Sequence, residues 1–284
     1  MADIPLMAWP LLAALVVALL AVDLLVFARR HVPTLRESLL WSIAWFAIAL
    51  VFGGGWWLWQ GGGAGSEYFA GYLLERSLSL DNVFVFAVIL SYFAVPPAAQ
   101  PQVLGWGIVL ALALRLVFIL VGAALLDAFH ATFYVFGVLL LYTAYRLARH
   151  AGSQAEPEPS SLLRRVRLPA ASAAFVAVAV TDVIFAVDSI PAIFAVTREP
   201  FIVFAANAFA MLGLRALYFL LAGMRERFVY LSHGLAAVLG FIGVKMLLVD
   251  VWHVPIWLSL GVITVTLGVA TLASARASDR SVVA

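Results

Sequence analysis

The chain has 284 residues, of which 65% are hydrophobic and 11% charged, with a formal net charge of +2. Soluble domains carry about 25% charged residues, so this composition fits a bilayer as solvent and leaves no room for a separate globular domain. The small net charge excludes an electrostatic footprint for nucleic acid, and the lack of any cysteine excludes disulfides, thiolate metal sites and thiol catalysis.

Hydropathy predicts nine transmembrane helices, at about residues 7–28, 39–59, 69–93, 103–125, 129–147, 170–196, 201–224, 231–249 and 256–273, in an all-α, polytopic membrane protein. Met1 to Pro10 contain Asp3 but no Lys or Arg, so the basic start of a secretory signal is missing and the first apolar stretch reads as a membrane helix. Gly53-Gly54-Gly55-Trp56-Trp57-Leu58-Trp59 and Gly61-Gly62-Gly63 read as an outer aromatic belt with a flexible turn. No lysine follows that would make them a phosphate loop. Val95-Pro96-Pro97 and Arg198-Glu199-Pro200 mark short turns. The segment 148–169, with Gly, Ser, Glu and Pro followed by Arg164-Arg165-Val166-Arg167, reads as a central cytoplasmic loop between the halves of one transmembrane domain covering 1–284.

Placing that loop in the cytoplasm and alternating outward puts twelve arginines inside: Arg29, Arg30, Arg36, Arg146, Arg149, Arg164, Arg165, Arg167, Arg225, Arg227, Arg276 and Arg280. Only Arg198 falls outside, which predicts an external N-terminus and a cytoplasmic C-terminus. Nine charged residues fall within spans: Arg76, Arg115, Arg215, Lys245, Asp23, Glu75, Asp81, Asp182 and Asp188.

A charge at the bilayer centre costs about 2.5–3.5 kcal/mol, so such residues face a protein interior, pair with one another and mark function. Two segments stand out, Glu75-Arg76-Ser77-Leu78-Ser79-Leu80-Asp81-Asn82 and Asp182-Val183-Ile184-Phe185-Ala186-Val187-Asp188-Ser189-Ile190-Pro191. Each has two carboxylates six residues apart, then a small polar residue, and one helix later a Leu-Arg pair, Leu114-Arg115 or Leu214-Arg215. This predicts an internal repeat of helices 3 to 5 as helices 6 to 8, inverted because three spans separate the copies. Six residues rise about 9 Å and turn about 240° net of full turns, so the paired carboxylates act at different depths unless the helix opens between them. Pro191 favours opening in the sixth helix, since it leaves the Val187 carbonyl without its helical donor.

Carboxylates, an amide oxygen of Asn82 or Asn207, the Ser189 hydroxyl and freed carbonyls make an oxygen site suited to magnesium, calcium or manganese. Carboxylates at different depths could also exchange protons, coupling cation export to proton entry. The plain alternative is structural ion pairing of Asp81 or Asp188 with Arg115 or Arg215, and of Glu75 with Arg76; Glu75 and Asp182 could also sit nearer helix ends. Arg115 and Arg215 read as counter-ions that orient carboxylates rather than as ligands. Asp23, one turn from Arg29-Arg30, is expected to snorkel to the interface, and Lys245 to pair with Asp250 or reach the headgroups. His130, His150, His233 and His253 fall near span ends and His31 in a basic loop, with no metal-ligand spacing between any pair. No span aspartate sits in the Gly-X-Gly-Asp context of intramembrane aspartyl proteases, and no enzymatic activity is expected.

These segments resemble the TerC family of bacterial membrane proteins, especially its Alx-type manganese-exporting branch. The resemblance lies in Glu75 to Asn82 with Val83-Phe84-Val85-Phe86, in Thr181 to Thr197, and in Asn207 with Leu212-Gly213-Leu214-Arg215-Ala216-Leu217-Tyr218-Phe219-Leu220-Leu221-Ala222-Gly223. It implies manganese(II) efflux across the bacterial cytoplasmic membrane, within a wider superfamily of LysE-like transporters. It also implies intramembrane acidic ligands, which Glu75, Asp81, Asp182 and Asp188 match; together with the amide oxygens read above, the candidate metal-binding residues are Glu75, Asp81, Asn82, Asp182, Asp188 and Asn207, with Ser189, Arg115 and Arg215 supporting. One departure is Ala179, one turn before Asp182, where members of the family it resembles often carry a further acidic residue. The expected partners are the divalent cation as substrate and the lipid bilayer, with a homo-oligomer or secretion machinery as further candidates. No resident cofactor is expected. A membrane interaction protein that assists metal loading or tellurite resistance is the alternative reading.

Overall fold

The computed structural model describes residues 4–26, 33–150, 169–221, 230–251 and 254–283. Most of the central loop, Arg29, Arg30, Arg164, Arg165, Arg167, Arg225, Arg227, His31 and His253 lie outside the described residues. Among the described residues there are nine helices and no strand: α1 (Ala8–Val26), α2 (Leu35–Tyr92), α3 (Gln100–Ala128), α4 (Thr132–His150), α5 (Ala170–Phe194), α6 (Pro200–Met211), α7 (Leu214–Leu221), α8 (Leu231–Leu247) and α9 (Ile256–Val283). The total equals the number of predicted spans, but the correspondence is not one to one. The second and third predicted spans are the two limbs of α2, and the seventh is split into α6 and α7.

α2 begins with a capping box that hydropathy does not see. Thr34 Oγ1 accepts from the Glu37 N–H at 3.2 Å, and Glu37 Oε2 accepts from the Thr34 N–H at 2.8 Å, which moves the helix start ahead of the predicted residue 39. Its 58 residues would make a straight rod of about 87 Å, far beyond a hydrocarbon core of about 30 Å. Gly61 breaks it, at φ 88° and ψ 173°, a backbone conformation open to glycine. The chain reverses there. Trp57 packs on Gly65, Gly53 on Tyr68 and Phe69, and Phe46 on Tyr72, pairs that count outward from Gly61 on both sides. The glycine turn and the tryptophan belt expected from the sequence are therefore the tip of an antiparallel helical hairpin.

The expected opening of the helix that carries Asp182 and Asp188 is not found. α5 runs unbroken with Pro191 inside it, near its C-terminal end. The interruption lies one helix later, where Leu212 and Gly213 separate α6 from α7 and the axis bends by 42°. Gly213 has φ 79°, and a Cβ there would lie 2.5 Å from the Trp45 ring, so both backbone conformation and space require glycine. Arg76 then occupies the break: its Nη1 donates to the Ala210 carbonyl at 2.8 Å and reaches the Leu212 carbonyl at 3.5 Å. These are carbonyls that the interrupted helix cannot satisfy. Arg76 is thus a cap across two helices rather than the local partner of Glu75.

Five helices are long and apolar enough to cross a membrane (α1, α2, α3, α5 and α9), and α6 with α7 makes a sixth if the bent pair is one span. α8 is apolar but shorter. Three packing relations position the interior. α3 runs parallel to α5, with Gly107 against Val178 and Gly122 against Phe194. The second limb of α2 runs parallel to α6, with Gly71 against Ala206 and Arg76 against the Ala210 carbonyl. α4 and α8 run antiparallel, and a Cβ on Gly137 would lie 3.1 Å from the Gly243 carbonyl while one on Gly243 would lie 3.0 Å from the Gly137 carbonyl. Such small-residue contacts let membrane helices approach closely where lipid offers no hydrophobic drive to pack.

Candidate functional site

Arg115 of α3 is the centre of the buried polar cluster. Its Nη1 donates to Glu75 Oε1, on the second limb of α2, and to Asn207 Oδ1 of α6 at 2.6 Å. Its Nε and Nη2 fork onto Asp182 of α5, at 3.4 Å to Oδ2 and 3.3 Å to Oδ1. Four elements that are distant in sequence thus meet at one planar guanidinium, whose five N–H donors suit simultaneous partners in a way an ammonium does not. Glu75 and Asn207 are 0% exposed, and Arg115 and Asp182 1%. The two carboxylates are not at helix ends, as the plain alternative would have them, but deep within the bundle. Asn207 is itself oriented, because its Nδ2 donates to the Val203 carbonyl one turn back at 3.0 Å. Ser79 Oγ donates to Glu75 Oε1 at 3.3 Å. Glu75 Oε2, however, is buried with no hydrogen-bond partner.

Two formal negative charges therefore face one positive charge in a buried interior. Asn82 and Ser189, buried as well, each follow a member of this cluster by seven residues, nearly two full helical turns, and so share its face. The Ser189 hydroxyl is buried without a partner. The side chains of Asp81, Asp188 and His150 lie outside the described residues. Among the described residues, no group of three or more His, Cys, Asp or Glu side chains is placed to hold a metal ion.

Arg215 does not join this cluster. Its Nε donates to Asp23 Oδ2 at 2.9 Å, its Nη2 donates to the same oxygen, and its Nη1 reaches the Pro101 carbonyl at 3.3 Å. Asp23, expected to snorkel to the interface, is 1% exposed. A carboxylate so near a basic loop would reach water if nothing inside the bundle paired with it, and Arg215, held behind the Gly213 break, supplies that pairing. Only the tertiary arrangement reveals the pair; the sequence signal was Asp23 alone in an apolar α1.

Sequence reading also missed an open cavity of about 590 Å³ at the bundle end that carries the Gly61 turn, the 195–199 loop and the 248–251 turn. Glu67, Thr197, Glu199 and Lys245 are among its lining residues. Thr197 Oγ1 donates to Glu67 Oε2 at 2.6 Å and accepts from the Glu199 N–H at 3.2 Å. Burial raises the Glu199 carboxyl above the ordinary carboxylate range; a backbone hydrogen bond with Phe201 opposes the shift, and the nearby Glu67 carboxylate adds to it. Lys245 donates from Nζ to Ser259 Oγ at 3.0 Å rather than pairing with Asp250, which instead meets His130 and Tyr134.

Residues 60–282 match the family described as "Integral membrane protein TerC family". The chain belongs to the TerC family. It is 44% identical to "Uncharacterized membrane protein STKORF319" of Myxococcus xanthus, over 94% of this chain and 91% of that protein. It is 41% identical to "Putative membrane-bound redox modulator Alx" of Salmonella typhi, over 93% of each chain. The protein of the same name from Escherichia coli K12 is also 41% identical, over 90% of each. No solved structure matches. In this TerC family chain the matched region begins at the tip of the α2 hairpin and holds every residue of the Arg115 cluster and the cavity residues Glu67, Thr197, Glu199 and Lys245. Asp23 lies ahead of it.

Proposed function

We propose that this TerC family protein is a secondary transporter that exports a divalent cation, manganese first among the candidates, in exchange for protons at the cluster of Glu75, Asp182, Asn207 and Arg115. The observation that carries the reading is the charge count. Two carboxylates share one guanidinium, and the oxygen left over, Glu75 Oε2, is buried and unpartnered. An uncompensated charge in a low-dielectric interior is neutralised by a proton or a cation, so this is a place where the two compete. Cation entry would need Arg115 to release a carboxylate and further oxygen ligands to approach, for which Asp81, Asp188, Asn82 and Ser189 are the candidates. Manganese rests on the family resemblance and on the hard oxygen donors.

An inverted repeat, pairing the second limb of α2 with α5, α3 with α6 and α7, and α4 with α8, is supported by the packing. Under that operation the parallel contact of α3 with α5 becomes the parallel contact of α6 with α2, and α4 with α8 maps onto itself. The arginine distribution supports placing the cavity end outside the cytoplasmic membrane. The name of the Alx relatives points to redox. With no cysteine of its own, this chain offers no thiol–disulfide couple, and an effect on redox state would follow from the metal it moves.

The test is manganese efflux from loaded proteoliposomes, comparing wild type with Glu75→Gln, Asp81→Asn, Asp182→Asn and Asp188→Asn at matched protein content. Efflux by wild type and loss in the variants supports the carboxylate site. Equal efflux by all would make the acids structural, and efflux by none would favour an interaction role.

A further inference from the structure

The cavity and the buried cluster are connected by two stripes of residues. Glu67 precedes Glu75 by eight residues on α2, and Glu199, the cap of α6, precedes Asn207 by eight. Eight residues are two steps of i to i+4, about 12 Å along a helix, so each pair lies close to one helical face. The stripes are Glu67, Gly71 and Glu75 on one side and Glu199, Val203 and Asn207 on the other. Between their ends the packing is apolar and tight: a Cβ on Gly71 would lie 3.2 Å from Ala206 and 3.3 Å from Ile193 Cγ2. Polar groups thus stand at both ends of a closed apolar neck, and at its inner end Glu75 Oε2 has no partner.

The outer end is a roomy, water-accessible chamber. It holds the Glu67 and Glu199 carboxylates, the Thr197 hydroxyl, the Gln60 side chain and two cationic groups: the Lys245 amine, tethered through Ser259, and the Arg198 guanidinium, which lies over the Phe133 ring at 4.2 Å. Two carboxylates with neutral oxygens suit a hard divalent cation that keeps much of its water, whereas a fully dehydrated ion would need more charged ligands.

Resting on the transporter reading above, we propose that this cavity is a second, weak cation site, in which Glu67 and Glu199 take a hydrated divalent cation in passage to or from the buried cluster and Lys245 is its built-in competitor. The tethered ammonium lines the same cavity as these carboxylates and repels a cation that enters it. The site therefore exchanges its ion readily with bulk water instead of trapping it.

The full chain, purified in detergent, is titrated with manganese(II), and the free ion is read from its electron paramagnetic resonance signal. The expected wild-type result is a weak binding class that Glu67→Gln combined with Glu199→Gln removes and Glu75→Gln leaves. Lys245→Met tightens that class about tenfold by removing a neighbouring like charge, while Lys245→Arg leaves it near wild type. The gain in Lys245→Met is an outcome that a misfolded variant cannot produce. Survival of the weak class in the double Gln variant, or unchanged affinity in Lys245→Met, overturns the proposal. Loss of efflux with cavity binding intact would instead count against the buried cluster, so the two readings fail separately.

Discussion

A guanidinium shared between two carboxylates in an apolar bundle is easy to break and hard to replace. Removing one partner of a buried ion pair leaves an uncompensated charge and costs about 3–5 kcal/mol, whereas removing all the charge together costs far less. Arg115→Leu should therefore lower the thermal midpoint of the detergent-solubilised protein sharply, and adding Glu75→Gln with Asp182→Asn in that background should recover most of the loss. Arg115→Lys is expected to fall between wild type and Arg115→Leu, since an ammonium retains the charge but loses the fork onto Asp182. If Arg115→Leu melts with wild type, the cluster contributes nothing to stability and the ion pairing described here is energetically idle. At this scale the acids themselves were legible, because a carboxylate in an apolar run declares itself. Their partners were not: Arg115 lies 40 residues from Glu75 and 92 from Asn207, and nothing local links them.

Helix ends and breaks set the next scale. The α2 limb closes with the Val95 N–H donating to the Leu90 carbonyl at 2.9 Å, while Ala94 takes φ 49°, a left-handed position that glycine occupies at least cost. Ala94→Gly should thus stabilise the protein by about 0.5–1 kcal/mol, read as a rise in thermal midpoint. At Gly213 the substitution runs the other way. Gly213→Ala strains a positive φ and pushes a Cβ into Trp45, and should destabilise by about 1–3 kcal/mol. If instead the alanine variant keeps its midpoint, the break between α6 and α7 is not the rigid element that Arg76 caps. Gly243→Leu would separate α4 from α8, where Leu141 and the Gly137 carbonyl leave no room. Hydropathy located the apolar helices, because it reports composition over a long window, although only five of them, or six with the bent pair, are long and apolar enough to cross a membrane. It could not see where a helix of lipid-compatible composition stops, since capping and positive φ are set by one or two residues whose apolarity matches their surroundings.

For the whole molecule, orientation and access are the decisive properties. The lack of native cysteine makes the chain a clean background for single-cysteine labelling. Arg198→Cys, exposed at the cavity end, should react with an impermeant maleimide added to intact cells. Pro97→Cys, in the turn at the opposite end, should react only after permeabilisation. The reverse pattern would turn the protein over in the membrane and make the cavity cytoplasmic, with the direction of transport read accordingly.

Composition and the spacing of charge along the chain determined that this is a helical membrane protein, roughly where its helices run and that Glu75 and Asp182 are buried within it, because a bilayer penalises every polar group by the same rule wherever it sits. What the tertiary structure decided was pairing: that Arg115 serves Glu75 and Asp182 while Arg215 serves Asp23, that Arg76 caps a broken helix rather than its neighbour, and that Pro191 leaves α5 intact while Gly213 divides α6 from α7. Those outcomes depend on which helix faces lie together, and a guanidinium on a long side chain reaches whichever buried acceptor the packing brings within about 3 Å.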